Sequence, residues 1–412
     1  MSRASCRFCG SPLEVTFCDL GLSPLSNSYL KPEQLARHEP FYPLHVWVCG
    51  KCFLVQLEEF EPPEHIFSDE YAYFSSYSDT WLEHSRRYVE EMSRRFALGA
   101  KSLVVEIASN DGYLLQYFVQ RGVPVLGIEP AGNCARAAEQ KGVRTRVAFF
   151  GTRLADDLAL EGKRADLLLG NNVLAHVPNL NDFVQGLKLV LGPQGVVTME
   201  FPHLLNLIEQ NQFDTIYHEH FSYLSFLTVE KVFARHGLVL FDVAELPTHG
   251  GSLRIFARHA EDASKPVGPA VPALRAKEGR AGLDRLETYE AFDDKVKRTK
   301  RRLLEFLVKA KNEGKRIAGY GAPAKGNTLL NYCGVRADFL DFTVDRSPHK
   351  QGCFLPGTRL PIFHPDKLRE ARPDYVLILP WNLQDEIVQQ VGYIRDWGGR
   401  FVVPIPEVTV LP

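Results

Sequence analysis

Residues 101–121 have the pattern of a short apolar strand, a tight polar turn and a helix. Two further apolar runs, over 124–128 and 166–170, follow at the spacing of parallel strands. The first run is followed by Glu129 and the second by Asn171. Strands that alternate with helices predict a parallel sheet covered by helices, with ligands bound at the carboxyl ends of its strands.

The polar residues at these strand ends indicate which ligand the domain would bind. Glu129 follows the second strand, where a carboxylate can accept hydrogen bonds from the two hydroxyl groups of a ribose. A dinucleotide site would require G-x-G-x-x-G after the first strand, but the turn over 109–112 contains the single glycine Gly112. The sequence therefore favours S-adenosylmethionine, which has no pyrophosphate, over NAD. A doubly wound domain without a ligand stays open.

Two C-x-x-C pairs near the start of the chain predict a metal site. Cys6 and Cys9 form one pair, and Cys49 and Cys52 form the other. Short turns of this kind aim two thiolates at one ion, and four thiolates fill the tetrahedral shell of Zn²⁺. We therefore predict a structural zinc site without an open position, with free thiols or a redox pair as alternatives. The isolated cysteines are expected to be small buried apolar residues: Cys18, Cys134, Cys333 and Cys353.

The composition disfavours several classes of partner. A formal charge of -2 and a pI near 6.7 give the 412-residue chain no basic bias toward nucleic acid or membrane surfaces. No apolar run approaches the roughly 20 residues of a membrane span, and the first residues lack a signal-peptide pattern. We therefore expect a cytoplasmic protein of two or three domains, monomeric or weakly oligomeric, that binds neither nucleic acid nor a membrane.

The tetrapeptide Tyr217-His218-Glu219-His220 concentrates two imidazoles, a carboxylate and a phenol, which exchange protons near neutral pH. Such a cluster is costly in an apolar core, so we expect it to line a cavity. A surface loop and a hydrogen-bonded structural cluster remain alternatives. Metal ligation by the two histidines is disfavoured, because their i, i+2 spacing differs from the i, i+4 spacing of helical metal sites.

The C-terminal third predicts a second parallel sheet. Its expected strands cover residues 315–320, 339–344 and 375–379. The small-residue turn 321–327 contains Lys325 and precedes a helix, so its amides and ammonium group can hold phosphate oxygens. A turn that only packs the helix on the strand is the alternative. Asp345 and Asn382 follow later strands at the same edge.

The region between the two predicted sheets is less regular. Residues 249–254 contain two glycines that permit close approach of a ligand, although a simple hairpin bend is equally compatible. Three prolines within 261–282 predict a linker or a loop excursion. Residues 283–314 predict one long amphipathic helix, whose basic run over 295–302 is expected to be a solvated face.

Motifs in a fixed order connect these parts of the chain. They are the two cysteine pairs and residues 71–78, 106–113, 127–130, 172–178, 217–220, 249–254 and 319–327. With them the chain resembles the S-adenosylmethionine-dependent sugar C-methyltransferases of deoxysugar biosynthesis, which act on nucleotide-linked keto-sugars. The resemblance implies an α/β protein with a small zinc-binding domain (1–68), a central Rossmann-like methyltransferase domain (69–260) and a C-terminal Rossmann-like domain (261–412).

The resemblance also implies roles for individual residues. His220 would be the base, Glu219 and Tyr217 would orient it or bind sugar oxygens, and His176 and Tyr71 are further catalytic candidates. The implied cofactor residues are Glu106, Ala108, Asn110, Gly112, Tyr113, Glu129, Pro130, Asn133, Asn171 and Asn172. The implied substrate residues are Tyr73, His249, Arg254, Lys325, Asn327, Asp345, Lys350 and Asn382. Ala108 departs from the glycine expected at its position.

The implied reaction sets the chemistry that the site must provide. A sugar carbon becomes nucleophilic when a neighbouring keto group lets its proton leave, so the site needs a base and a partner for the oxyanion. We expect methylation at C-3 of a nucleotide-linked 4-keto-6-deoxyhexose, with C-5, another position or an oxygen atom as alternatives. The alternative from another class is a zinc-knuckle binding protein without catalysis. The sequence leaves thymidine and guanosine equally open as the nucleoside.

Overall fold

The computed structural model describes residues 4–62, 64, 69, 71 and 74–411. Its strands in chain order are β1 (Val15–Ser23), β2 (Tyr42–Val48), β3 (Val55–Leu57), β4 (Val104–Ile107), β5 (Val125–Ile128), β6 (Thr145–Arg146), β7 (Ala165–Asn171), β8 (Leu191–Pro202), β9 (Ser222–Tyr223), β10 (Leu238–Leu246), β11 (Ser252–His259), β12 (Ile317–Tyr320), β13 (Thr343–Val344), β14 (Ile362–Phe363), β15 (Tyr375–Ile378), β16 (Arg400–Val403) and β17 (Thr409–Leu411).

The α-helices alternate with many of these strands. In chain order they are α1 (Asp79–Arg95), α2 (Leu115–Gln120), α3 (Gly132–Gln140), α4 (Thr152–Leu160), α5 (Leu180–Val190), α6 (Leu204–Glu209), α7 (Phe226–Arg235), α8 (Ala270–Arg280), α9 (Leu286–Glu290), α10 (Phe292–Asn312), α11 (Ala324–Cys333), α12 (Lys367–Ala371) and α13 (Gln384–Gln390). None of the helices in the described ranges combines the length and the hydropathy that a membrane span requires.

The chain divides into two compact units, and each unit is assembled from three separate segments. The first unit contains residues 1–13, 49–204 and 221–284. The second unit contains residues 14–48, 205–220 and 285–412. The domain boundaries at 68 and 260 rest on the order of motifs along the chain, and they stay predictions.

The first unit is built around a seven-stranded sheet in the order β10-β11-β8-β7-β4-β5-β6. Strands β4 to β8 run parallel, while β11 is antiparallel to β8 and to β10. All residues of β4 are buried, as expected for a central strand with both faces covered. The arrangement confirms the predicted α/β fold with a parallel sheet and brings the ends of β4, β5 and β7 to one edge.

Helix α1 shows how local sequence and packing combine in this unit. Ser78 caps its start, because the side-chain oxygen accepts a hydrogen bond from the Trp81 amide at 3.3 Å. Its apolar face buries Val89 and Met92 in the core that also contains Val104 of β4. Burial of side chains of this size contributes about 1.5–3 kcal/mol each, so packing holds the helix against the sheet.

The second unit contains a six-stranded sheet in the order β14-β13-β12-β15-β16-β17. Only β17, at one edge, runs antiparallel to its neighbour. The β1–β2 hairpin belongs to the same unit, and the Phe17 ring stacks on Phe292 of α10 with 4.6 Å between centroids. The second parallel sheet predicted from the sequence is therefore confirmed.

The structure differs from the sequence interpretation in three segments. The predicted linker contains α8, because Pro269 and Pro272 lie at the helix start, where a backbone N–H needs no partner within the helix. The predicted helix over 283–314 is two helices, α9 and α10. The strand predicted over 339–344 is reduced to β13, because the amides of Phe339 and Leu340 donate to the Arg336 carbonyl and form a turn instead.

Candidate functional site

Four cysteine sulfur atoms converge in the first unit, as the sequence predicted. The Sγ atoms of Cys6, Cys9, Cys49 and Cys52 lie within 4.8 Å of one another, and none of these cysteines forms a disulfide. Zn–S bonds of about 2.3 Å in a tetrahedron would separate the sulfurs by about 3.8 Å, so the cluster fits one Zn²⁺ ion. In the described part of the chain, no other cluster brings three or more potential metal ligands together.

The backbone of the two knuckles explains this convergence. In each knuckle the residue after the second cysteine is left-handed, with φ of 74° at Gly10 and 66° at Phe53. The amides of these residues donate to the carbonyl oxygens of Cys6 and Cys49 at 2.9 Å and close both turns. Gln56 Nε2 also donates to the Cys6 sulfur at 3.2 Å, which favours the thiolate form that binds metal.

The turn after β4 adopts backbone conformations that most side chains avoid. Ala108, Asn110 and Gly112 have φ values of 55°, 48° and 72°. A Cβ atom at Gly112 would lie 3.1 Å from the Ala138 side chain, so glycine also allows close packing there. The Asn110 side chain accepts a hydrogen bond from the Ser75 amide at 2.9 Å. The turn is therefore held tightly at the carboxyl end of β4.

Glu129 connects this turn to the end of β5. One carboxylate oxygen accepts a hydrogen bond from the Asn110 amide and the other accepts one from the Ala131 amide, both at 2.8 Å. The carboxylate is buried, and burial raises its pKa above the ordinary value. Each oxygen retains a second acceptor position, which suits the two hydroxyl groups of a ribose.

Buried polar atoms at the same edge fit a polar ligand. No hydrogen-bond partner within the described residues reaches Ser109 Oγ, Asp111 Oδ1, Asn133 Oδ1 or Asn172 Oδ1. Buried polar atoms normally have partners, so these match the hydroxyl and amino-acid groups of a nucleoside cofactor. The other predicted cofactor residues here are Glu106, Pro130, Tyr113 and Asn171. Burial raises the pKa of the Glu106 carboxyl group well above its ordinary value.

The left-handed backbone at Ala108 leads to a stability prediction. A non-glycine residue in this conformation costs about 1–2 kcal/mol, whereas the extra freedom of glycine in the unfolded chain costs about 0.4–1 kcal/mol. We therefore expect Ala108→Gly to raise the free energy of unfolding by up to about 1 kcal/mol, measured by urea denaturation. Ala135→Gly, within α3, is the control and should lower it by a similar amount. A destabilised Ala108→Gly variant would contradict this assignment of strain.

For three further predicted residues, no catalytic or substrate contact is recorded in the described part of the chain. Tyr71 is half-buried, and its backbone carbonyl accepts a hydrogen bond from Asn133 Nδ2 at 2.9 Å. His176 is half-buried at the end of a short turn after β7. Tyr73 lies outside the described residues. The catalytic roles of Tyr71 and His176 and the substrate role of Tyr73 stay predictions.

His249 and Arg254, both predicted to bind substrate, have different surroundings. His249 has a φ of 54°, and its Nε2 accepts a hydrogen bond from Asn172 Nδ2 at 3.0 Å. Arg254 is 4% exposed and donates to carboxylate oxygens of Glu200 at 3.1 Å and Glu91 at 3.3 Å. His249 thus lies beside a predicted cofactor residue, while the charge of Arg254 is compensated by carboxylates on β8 and α1.

In the second unit, His220 is held in one tautomer. Its Nδ1 donates a hydrogen bond to the backbone carbonyl of Thr215 at 2.8 Å, and a carbonyl oxygen can only accept. The neutral ring then carries its lone pair on Nε2. The Tyr217 ring lies 4.0 Å from the His220 ring, centroid to centroid. This arrangement provides an imidazole that can take up a proton at Nε2.

The two residues that precede His220 have distinct environments. Glu219 is buried and accepts a hydrogen bond from Asn27 Nδ2 at 2.6 Å, and burial raises its pKa to about 7. His218 donates from Nε2 to the Pro43 carbonyl at 3.1 Å, and burial lowers its pKa. Glu219 can therefore exchange a proton near neutral pH, whereas His218 is directed to the backbone of the hairpin.

The carboxyl edge of the second-unit sheet carries five of the predicted substrate residues. Asp345 accepts hydrogen bonds from the amides of Ala322 at 2.7 Å and Ser347 at 2.8 Å, and Lys350 Nζ donates to the Ala322 carbonyl at 2.9 Å. Lys325 Nζ donates to Asn382 Oδ1 at 2.8 Å, and burial lowers its pKa. Asn327, also at this edge, is buried at the start of α11.

Several residues at this edge were missed by the sequence analysis. The Lys325 ammonium lies 4.6 Å from the Trp381 ring centroid, and Trp381 Nε1 donates to Asp214 at 2.7 Å. Burial raises the pKa of Asp214 to about 6. Asn27 and Tyr29 were missed as well, although their polar and aromatic side chains between Leu25 and Leu30 offered a weak signal.

Three family models match successive parts of the chain. Residues 6–67 match a model described as "Putative zinc binding domain", residues 81–243 match "Methyltransferase domain", and residues 247–406 match "C-methyltransferase C-terminal domain". Together with the geometry, these matches confirm two cofactors. They are S-adenosylmethionine, the cofactor of the methyltransferase domain, and zinc, whose binding domain contains the cluster of four cysteines.

The similar proteins include C-, O- and porphyrin methyltransferases. C-methyltransferase NovU of Streptomyces niveus is 37% identical over 406 residues, which cover 98% of this chain and 96% of NovU. A ubiquinone biosynthesis O-methyltransferase of Bartonella tribocorum is 26% identical over 95 residues, or 23% of this chain and 38% of its own. Magnesium protoporphyrin IX methyltransferase from Synechocystis PCC 6803, solved with bound SAH, covers 43% of this chain and 82% of its own, with 16% identity and a TM-score of 0.35.

Proposed function

This chain belongs to the C-methyltransferase family, and on that basis we propose that it methylates a nucleotide-linked 4-keto-6-deoxyhexose at a carbon next to the keto group. C-3 is the favoured position, and C-5 is the neighbouring alternative, because both carbons flank a keto group at C-4. The family membership supports a carbon atom as the methyl acceptor. The keto-sugar is supported by the acid–base groups of the 217–220 segment, and its nucleotide by the Lys325 ammonium and the backbone amides at the start of α11.

The observation that carries the proposal is the tautomer of His220. Because Nδ1–H is donated to the Thr215 carbonyl, Nε2 is left with a lone pair that can accept a proton from carbon. Adjacent to a keto group, loss of this proton gives an enolate whose carbon is nucleophilic. S-adenosylmethionine supplies an electrophilic methyl group when it is bound. General base catalysis of this kind contributes about 10²–10⁴-fold to a rate.

The neighbours of His220 would handle the oxygen atoms of the sugar. In this proposal, Tyr217 and Glu219 orient the base or bind sugar hydroxyl and keto oxygens, with His176 and Tyr71 as further candidates. Glu219 is suited to either task, because a carboxyl group with a pKa of about 7 can donate or accept a hydrogen bond near neutral pH. An oxyanion is stabilised most by donors that are already in place before the reaction.

The nucleotide part of the substrate would bind at the second-unit sheet. The start of α11 presents backbone amides, and Lys325 adds a cation, which together suit a pyrophosphate. Asn327, Asp345, Lys350 and Asn382 would complete this subsite, while Tyr73, His249 and Arg254 would contact the remainder of the substrate. We also propose the three predicted domains (1–68, 69–260 and 261–412) as the functional parts, and a monomer or weak oligomer in the cytoplasm, where reduced cysteines bind zinc.

An exchange experiment in heavy water tests the proposal. The enzyme is incubated with S-adenosylhomocysteine, which cannot donate a methyl group, and with thymidine- or guanosine-diphosphate-linked 4-keto-6-deoxyhexoses. We expect deuterium to replace one hydrogen next to the keto group, and NMR identifies that carbon as C-3 or C-5. His220→Asn should lose this exchange.

Two other outcomes are informative. Methyl transfer without loss of a carbon-bound hydrogen would identify oxygen as the acceptor, because only methylation at carbon removes that hydrogen. Absence of both exchange and methyl transfer with every sugar nucleotide would reject this class of substrate. Mass spectrometry of the same incubations with S-adenosylmethionine measures the methylated product directly.

A further inference from the structure

We propose that Asn27 is a positioning residue of the methyl-transfer site, which holds the Glu219 carboxyl group in a single orientation toward the sugar. This inference rests on the proposed function and adds to it a residue from the insert between the two cysteine pairs. Asn27 Nδ2 donates to Glu219 Oε1 at 2.6 Å. Glu219 is 6% exposed, so this hydrogen bond is sheltered from water and correspondingly strong.

Hydrogen bonds on both sides of Asn27 connect its segment to α11 and to the turn that precedes this helix. The Ser26 carbonyl accepts a hydrogen bond from Asn327 Nδ2 at 2.6 Å, and the Tyr29 hydroxyl donates to the Ala322 carbonyl at 2.6 Å. The Tyr29 oxygen also lies 3.3 Å from Asn27 Oδ1. The two ends of the Asn27 amide thus face different groups, with its NH₂ toward the carboxylate and its oxygen toward the phenol.

The same contacts also connect Glu219 to the predicted phosphate subsite. Ala322 and Asn327 belong to the turn and helix that we propose to hold the pyrophosphate. A ligand that orders this turn would therefore also order the amide that contacts Glu219. Residues that fix a catalytic group through hydrogen bonds of this kind commonly have large effects, since small displacements of the group reduce the rate steeply.

The titratable groups near Glu219 lie on its own segment and on the insert. On its own segment the titratable neighbours are His218 and His220. Tyr29 lies on the insert. Burial raises its pKa above the ordinary value, and the Lys350 ammonium reduces this rise. Lys350 and Asp345, at the edge of the second-unit sheet with charged atoms 4.0 Å apart, act on Tyr29. Of the described neighbours, Asn27 is the one whose hydrogen bond favours the ionised form of Glu219.

The test compares Asn27→Ala and Asn27→Asp with wild type. Loss of the amide donor removes a hydrogen bond that favours the charged carboxylate, and an aspartate at this position adds a second negative charge beside it. Ionisation of Glu219 should produce one limb of the kcat–pH profile. We expect the midpoint of this limb to shift to higher pH, by about one pH unit in Asn27→Ala and by more in Asn27→Asp. The limb moves in this direction whichever protonation state of Glu219 is active. At neutral pH we expect kcat to fall about tenfold.

Matched measurements separate this role from a purely structural one. Ser28→Ala, on the exposed neighbour of Asn27, should retain the wild-type profile. The Glu219→Gln variant shows which limb of the kcat–pH profile belongs to Glu219, because that limb should be absent when residue 219 cannot ionise. Affinity for S-adenosylmethionine and the unfolding temperature should change little in Asn27→Ala. An Asn27→Ala profile identical to wild type, with normal turnover, would overturn the inference while the proposed function stands.

A second readout is independent of turnover. The carboxyl carbon of Glu219 can be titrated by ¹³C NMR, with its signal assigned through Glu219→Gln. An upward shift of this titration in Asn27→Ala supports the positioning role, and an unmoved titration overturns it. If wild type turned over no nucleotide-sugar, the proposed function would fail, and this titration would still decide whether Asn27 sets the state of Glu219.

Discussion

We expect His220→Asn to reduce kcat for methyl transfer by about 10³-fold, while S-adenosylmethionine still binds with an affinity close to that of wild type. The expected loss follows from removal of the Nε2 lone pair, since general base catalysis contributes about 10²–10⁴-fold. Asparagine is the most informative replacement, because its amide NH₂ can still donate to the Thr215 carbonyl and preserve the local fold. Steady-state kinetics and calorimetry with the cofactor measure the two quantities.

His218→Asn is the matched control for this variant. His218 is two residues away and equally basic in type, but its Nε2 donates to the Pro43 carbonyl, so its replacement should affect stability more than kcat. We expect kcat within about tenfold of wild type and a lower unfolding temperature, since a buried hydrogen bond contributes about 0.5–1.5 kcal/mol. Near-normal kcat in His220→Asn would remove His220 from the role of base.

We expect Cys49→Ser to lose zinc and to destabilise the first unit. A structural zinc ion in small domains binds with an apparent free energy of about 10–16 kcal/mol, so loss of one of four thiolates should lower the unfolding temperature by about 10 °C or more. The loss should also reduce methyl transfer. Cys52 lies shortly before β3, and β3 pairs with β9. β9 follows Phe221, the residue directly after the 217–220 segment. Zinc content by atomic absorption and thermal unfolding measure these effects.

Cys353→Ser is the control for the zinc variant. Cys353 is a free thiol outside the cluster, so its replacement should leave one equivalent of zinc and the wild-type unfolding temperature. A strong chelator added to wild type should reproduce the instability of Cys49→Ser, and added zinc should reverse it. Retention of a full equivalent of zinc in Cys49→Ser would contradict a site made of four thiolates.

Much of the fold was predictable because its sheets are parallel and buried. Strands of this kind are nearly continuous apolar runs, so β4, β5, β7, β12 and β15 were recognised within two or three residues. The α/β class, a zinc-binding domain with a four-cysteine cluster, and the S-adenosylmethionine cofactor were predicted and are confirmed, while the four cysteines as the zinc ligands stay a prediction. Each depended on residues that are close in sequence or that recur at a fixed strand end.

Features without a clear local sequence pattern were not predictable. The α8 helix was hidden by prolines that disfavour a helix interior but are tolerated in its first turn. Asn27 gains its importance only from a contact with Glu219, far away in the sequence, and no local pattern encodes that contact. The single residue Ala108 was noticed as a departure from glycine, yet only the backbone shows that it occupies a left-handed conformation.

The interleaved composition of the second unit has a consequence for its synthesis on the ribosome. Residues 14–48 emerge early, but the sheet and helices with which they share a compact unit are encoded after residue 285. At a translation rate of about 5–20 residues per second, roughly 10–50 s pass between the synthesis of the β1–β2 hairpin and the start of synthesis of the last segment of its unit. Its apolar face, including Phe17, is exposed to chaperones during that time, so expression yield should depend on their supply more strongly than the stability of the finished protein would suggest.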